Sequence, residues 1–269
     1  MIAKNNAKKG GLSDKIVPII LAIISAISIL TTIAILFTLL TETITFFTRV
    51  PLSKFFLSGT WNPTGSSPEF GIWALIIGTL KITVIATIVA VPIGLGAAIY
   101  LNEYASDRSR RIIKPILEIL AGIPTIVFGF FALTFVTPIL RNLIPNLGEF
   151  NSISPGIVVG IMIVPMITSM SEDAMSSVPD KIREGAFGLG ATKFEVATKV
   201  VLPAATSGVV ASIVLGISRA IGETMIVSLA AGSSPTSSLS LTSSIQTMTG
   251  YIVEIATGDA AFGLSLIHI

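Results

Sequence analysis

Two charges stand alone in the last long apolar stretch of the sequence. After Lys199 the next charged residues are Arg219 and Glu223, and none follows until Glu254. Four residues apart, they share one face of a helix. A charge at bilayer depth costs at least ~2.5–3.5 kcal/mol on insertion scales, so two on one face should point to a bundle interior or a water-filled path and pair there. A guanidinium presents forked donors that suit an oxyanion. A carboxylate beside it competes for those donors and weakens the hold on any anion bound there. The alternative is an intrahelical ion pair with a purely structural role. Little other chemistry is available. There are no cysteines, which excludes disulfides, thiolate metal sites and cysteine nucleophiles. The one histidine, His268, lies next to the last residue, so no cluster of His ligands can form. No Gly-rich phosphate cradle followed by Lys-Ser/Thr is present, so the chain carries no P-loop. An enzyme built in the membrane would have only Arg219 and Glu223 to work with.

The elements that position this pair follow from composition. The chain is 52% hydrophobic and 12% charged, with mean hydropathy +0.88. Soluble domains carry about 25% charged residues, so lipid is the expected solvent and a polytopic all-α bundle the expected fold. A net charge of +2 gives no field to recruit nucleic acid. A spanning helix needs ~20 apolar residues, and the gaps between charges outline five: Lys15 to Glu42, Glu69 to Glu103 (interrupted by Lys81), Glu118 to Arg141, Glu149 to Glu172, and Ser207 to Ala231. The first, 16–41, is too long for the h-region of a signal peptide and reads as a peripheral transmembrane helix. Pro92, Pro124 and Pro165 fall inside spans, where neighbouring helices can satisfy freed backbone groups. Gly94, Gly96, Gly156 and Gly160 offer small faces for close packing. The apolar tail 259–269 reads as the start of a sixth helix that breaks off.

Lys and Arg set the orientation. Four each fall in 1–15 (Lys4, Lys8, Lys9, Lys15), in 108–114 (Arg108, Arg110, Arg111, Lys114) and in 181–199 (Lys181, Arg183, Lys193, Lys199). The positive-inside rule places these segments and the N-terminus in the cytoplasm. The stretches 42–69, 142–154 and 232–258 fall outside, and their Ser, Thr, Gly and Pro read as solvated loops. Lys81 is expected to snorkel to the outer interface, or else to be a second cation near the outer mouth. Glu118 reads as an inner-interface residue without a role, and Glu172 with Asp173 as a solvated cytoplasmic edge.

The cytoplasmic segment 172–203 is the most informative. Asp180 could cap a helix beginning near Lys181. Then come Glu184-Gly185-Ala186, three residues, Gly190, nine residues, Val200, one residue, and Leu202-Pro203. This spacing resembles the EAA motif of ABC-importer permeases, with Gly185 for the first alanine and Val200 for the isoleucine. Gly190 can take the positive φ that ends a helix. The motif implies two short helices that lie across the membrane surface and dock on a soluble ATPase, after which Leu202-Pro203 turns the chain into the fifth span.

Outside the loop the resemblance narrows to phosphate-specific permeases of the PstC type. It is carried by Phe56-Leu57-Ser58-Gly59-Thr60-Trp61-Asn62-Pro63, Gly78-Thr79-Leu80, Ala90-Val91-Pro92-Ile93-Gly94 and 120–129. The fullest segment is Gly216-Ile217-Ser218-Arg219-Ala220-Ile221-Gly222-Glu223-Thr224-Met225, similar to the family's G-x-x-R-A-x-G-E-T-M. The resemblance implies a MetI-like permease core over 70–258 and a non-catalytic, multi-pass subunit of the inner membrane. It further implies a homologous second permease, a cytoplasmic ATPase dimer that binds ATP and Mg²⁺, and an external phosphate-binding protein. In the family, residues matching Arg219 and Glu223 are implicated in substrate passage. A permease for sulfate or molybdate would share the loop. A secondary transporter would show internal repeats, and none is evident.

Overall fold

The computed structural model describes residues 12–258 except 64 and 66. Lys4, Lys8, Lys9, His268 and the expected sixth-helix start at 259–269 lie outside the described residues. The chain divides into two units, residues 1–55 and 56–269.

The first unit is dominated by α1 (Leu12–Arg49), 38 residues long. At 1.5 Å per residue it extends ~57 Å, nearly twice the ~30 Å hydrocarbon core. Its side chains from Ile16 to Thr45 are exposed and mostly apolar on every side, as for a helix facing lipid. The helix does not stop at residue 41 as the charge gap predicts. It carries Glu42 and Arg49, and the segment 42–69 is therefore not all loop. Thr43, Thr45 and Thr48 donate their hydroxyls to carbonyls three or four residues back, at 2.6–2.9 Å, so these polar residues are satisfied without breaking the helix.

A short helix α2 (Leu52–Leu57) and a two-stranded hairpin, β1 (Trp61–Asn62) and β2 (Glu69–Phe70), precede α3 (Trp73–Ile99), which runs on through a π-helical turn at Tyr100–Tyr104. Next comes α4 (Asp107–Gly122), capped by the Ser106 hydroxyl, which accepts from the Ser109 N–H. Helix α5 (Thr125–Phe131) passes through a π turn into α6 (Thr137–Leu143), and α7 (Ile153–Ser176) follows. The segment after it holds α8 (Asp180–Gly188) and α9 (Lys193–Glu195), the latter continuing through a π turn at Val196–Val201 into α10 (Leu202–Ala204). Helices α11 (Thr206–Ile221), α12 (Met225–Ala230) and α13 (Met248–Thr257) complete the second unit.

Among the described residues, four helices are long and apolar enough to cross a membrane: Ile16–Arg49, Trp73–Tyr104, Thr125–Leu143 and Ile153–Ser176. A fifth arises if Lys193–Ala204 and Thr206–Ile221, bent by 77°, count as one span. The third span begins at Thr125 rather than near Glu118, because Ile123-Pro124 separates it from the amphipathic α4. The fifth, expected unbroken over 207–231, is interrupted at Gly222-Glu223-Thr224. Helix α11 alone covers ~24 Å.

Helices α3 and α7 form the core. A Cβ on Gly156 would lie 2.8 Å from the Ile85 Cβ, and one on Gly160 2.8 Å from the Val89 Cβ, so these two glycines admit the close approach read from their spacing. Thr168 donates across the seam to the Gly94 carbonyl at 3.1 Å. Ile82, Val159, Ile163, Ile167 and Ile226 are fully buried around it.

The stretch 232–258 is not a solvated loop throughout. Ile245, Gln246 and Thr247 are buried. The backbone of this stretch is tied to three elements: Ser152 N–H and Oγ donate to the Leu241 carbonyl, the Met248 N–H donates to Thr79 Oγ1, and the Ile245 N–H donates to the Ala231 carbonyl. Gly78 permits this fold-back, since a Cβ there would strike the Gln246 carbonyl oxygen. Thr247 and Thr249, which read as solvated, are tied to protein: the Thr247 hydroxyl accepts from the Gly250 N–H and the Thr249 hydroxyl donates to the Glu223 carbonyl.

Candidate functional site

Arg219 sits in the last turn of α11. Glu223 lies just past the helix end, in the break before α12. The predicted pair forms, Nη1 to Oε2 at 2.7 Å, though across a helix end and not along one continuous helix. The break gives the carboxylate a second task. Oε1 accepts from the backbone N–H groups of Met225 (3.2 Å) and Ile226 (3.4 Å), which are orphan donors at the start of α12. Glu223 is thus fixed and buried, with 2% of its side chain exposed, whereas 43% of the Arg219 side chain is open.

The open side of Arg219 faces a cavity of about 380 Å³ bounded by α4, the start of α5, and α7. Lys114, Glu118 and Glu172 line the same cavity, with Thr125 and Ser169 as neutral polar groups. Glu172 is buried, contrary to its reading as a solvated edge, and pairs with Lys114 Nζ at 2.7 Å. The α7 helix continues to Ser176 and packs Glu172 inward, so position along the sequence misplaced it. Nothing in the local sequence of Lys114 or Glu172 signals this pair.

Lys81 does not snorkel. It is buried, and its Nζ donates to the carbonyls of Ser238 and Ser240, the latter at 2.9 Å. It serves as a clamp on the folded-back stretch, where two carbonyls replace water around the ammonium.

In the 172–203 segment Gly190 has φ +86° and its N–H donates to the Phe187 carbonyl at 2.9 Å, ending α8 as predicted. Asp180 is the first residue of α8 and not its cap; its carboxylate accepts from Arg183 Nη1 at 3.0 Å. Thr192 and Glu195 form a capping box that starts α9. The motif residues then divide. Ala186, Val200 and Leu202 pack against a small core of Ala98, Met175, Val196 and Val201, while Glu184, Gly185 and Gly190 are exposed. Leu189 and Phe194 beside them are exposed at 90% and 66%. Past Leu202-Pro203 the chain turns by 77° into α11.

Arg183 joins this segment to the bundle. Its guanidinium donates to the Met175 carbonyl (2.7 Å) and the Val178 carbonyl (2.5 Å), and meets Glu103 Oε1 at 3.3 Å at the end of the α3 helix. Arg110 donates to the carbonyls of Leu101 and Asn102, both at 2.8 Å. In the sequence these arginines read only as topology signals.

The profile of the family "Binding-protein-dependent transport system inner membrane component" matches residues 90–269. The chain belongs to this family. The matched range holds the 172–203 segment, Lys114, Arg219 and Glu223, and leaves out α1. A "Probable ABC transporter permease protein YqgH" of Bacillus subtilis is 38% identical over 180 residues, 66% of this chain and 58% of that protein. The "Phosphate transport system permease protein PstC" of Haemophilus influenzae is 37% identical over 200 residues, 67% of this chain and 63% of that protein. Its counterpart in Pasteurella multocida is 38% identical over 198 residues, 66% and 61%. The chain spans about three fifths of the length of these relatives. A chain from inward-facing structures of the MetNI methionine ABC transporter aligns with TM-score 0.49 and 18% identity, covering 73% of this chain and 85% of that one. The protein is a multi-pass membrane protein of the binding-protein-dependent transport type.

Proposed function

We propose that this chain is a permease subunit of an ATP-driven importer of inorganic phosphate. The observation that carries the reading is the guanidinium of Arg219, held by a buried carboxylate at a helix break and open to a cavity inside the bundle. Phosphate bears up to two negative charges and several acceptor oxygens, and a forked donor matches it. Glu223 competes for the same donors, so the anion is held briefly and released. The identity to PstC proteins supports phosphate as the anion. The segment 172–203, with Glu184, Gly185, Ala186, Gly190, Leu202 and Pro203, is the coupling element. Its exposed Leu189 and Phe194 suit a groove on a cytoplasmic ATPase. ATP and Mg²⁺ act on that partner, and this chain carries no reaction of its own. A homologous second permease completes the path and an external binding protein delivers phosphate. The N-terminus is cytoplasmic by the positive-inside rule.

The test is uptake of labelled phosphate into proteoliposomes holding the assembled transporter, with wild-type and variant permeases. Arg219→Gln should lower uptake about tenfold or more, the worth of one charge-assisted bond. Arg219→Lys should fall between, since an ammonium lacks the fork. Wild-type uptake by Arg219→Gln sinks the assignment. Suppression of uptake by excess sulfate or molybdate transfers the reading to another oxyanion.

A further inference from the structure

The cavity beside Arg219 holds a second cation–carboxylate pair built on the same plan. Lys114 Nζ lies 2.7 Å from Glu172 Oε2, the distance that separates Arg219 from Glu223. In each pair the carboxylate is sunk in the protein, 5% exposed for Glu172 and 2% for Glu223. In each the cation is open, 45% for Lys114 and 43% for Arg219. Both cations line one cavity of about 380 Å³. From this duplication we infer that Lys114 is a second oxyanion station, on the cytoplasmic side of Arg219, with Glu172 as the counterion that occupies it between substrates.

The inference rests on the reading of the chain as a phosphate permease, and it adds a residue to that path. Lys114 lies on α4, in the basic segment placed at the cytoplasmic face, while Arg219 ends a membrane helix. An anion leaving Arg219 through the cavity therefore meets the ammonium on its way out. Lysine suits an exit better than a second arginine would. Its ammonium is a point charge on a flexible stem, able to swing between Glu172 and an anion without enforcing forked geometry. Thr125 and Ser169 add neutral polar groups to the wall of the same cavity. Glu118, exposed on α4, adds a like charge that opposes retention of the anion. A buried pair serving structure alone would leave transport indifferent to which neutral or reversed pair replaced it.

That difference is the test. Phosphate uptake is measured in proteoliposomes with the full transporter carrying the double variant K114Q/E172Q or the swap K114E/E172K, and the yield of assembled complex is measured in parallel. The double variant leaves no unpaired buried charge, and the swap retains an ion pair between the same two helices. Uptake per assembled complex about tenfold below wild type in both variants supports the second station. Uptake within about twofold of wild type, in either one, overturns it and leaves the pair structural. Absence of phosphate uptake by the wild-type complex overturns the phosphate reading itself, before any variant is compared.

Discussion

Removal of the Arg183 side chain should loosen the loop from the bundle. The guanidinium is 14% exposed and reaches four acceptors: the Met175 and Val178 carbonyls, Glu103 and Asp180. These do not contribute equally. Asp180 is 87% exposed, so its pair with Arg183 is screened and worth ~0–1 kcal/mol. Glu103 is 8% exposed and keeps only the Asn102 amide, at 2.6 Å, when the arginine is gone. Breaking a buried pair costs ~3–5 kcal/mol, and the surviving amide bond moves the expectation to the low end. Of the two carbonyls, that of Met175, in the last turn of α7, still accepts from the Val178 N–H in the variant. Arg183→Ala should therefore destabilise the permease by about 3 kcal/mol. For a chain of this size that is a fall of roughly 6–12 °C in the thermal midpoint. The assay is thermal unfolding of the purified complex in detergent, with Asp180→Asn as control, expected to shift by no more than about 4 °C. Because Arg183 ties α8 to the ends of α3 and α7, the coupling role proposed for this segment predicts less phosphate moved per ATP hydrolysed in the variant. A midpoint for Arg183→Ala equal to that of Asp180→Asn would refute the assignment of the linkage to this side chain.

Three further expectations rest on other contacts. Gly160→Leu forces a side chain against Val89, where a Cβ alone comes within 2.8 Å, and should destabilise by at least the ~1–3 kcal/mol typical of overpacking; an unfolding curve matching wild type would show that α3 and α7 are not in contact there. Lys81→Met leaves the Ser238 and Ser240 carbonyls unpaired and should cost about 1–3 kcal/mol, read as faster amide exchange over 238–247, with unchanged exchange counting against the clamp. The Glu195 carboxyl is held down to about 2, against an ordinary 4.5, by the Thr192 N–H first, then by Lys199 and the Thr192 hydroxyl. A folded-state value below the unfolded one adds stability that is complete above about 4.5 and is lost as pH falls toward about 2. Protection of the amides at the start of α9, taken relative to their intrinsic exchange rate at each pH, should fall across that window in wild type and show no such step in Glu195→Gln. A titration midpoint near 4.5 for this carboxyl would contradict the capping geometry.

Much of this protein was legible because lipid makes charge placement a local matter. A charge cannot sit at random in an apolar run, so the gaps between charges marked the spans, and the isolated Arg219 and Glu223 announced a pair. Gly190 is likewise local, set by its positive φ. The limits of that logic are just as physical. Charge marks the edge of an apolar run and not of a helix, so α1 passes through Glu42 to Arg49. Serine and threonine look the same whether they face water or carbonyls, so the fold-back of 238–249 was hidden. Lys114 with Glu172, Lys81 with the Ser240 carbonyl, and Arg183 with Glu103 join residues distant along the chain. Their partners are chosen by which elements the fold brings together, and nothing local to either residue specifies that. Composition and spacing determined the solvent, the spans and the chemistry on offer; only tertiary packing decided which charges are buried together and which open on the cavity.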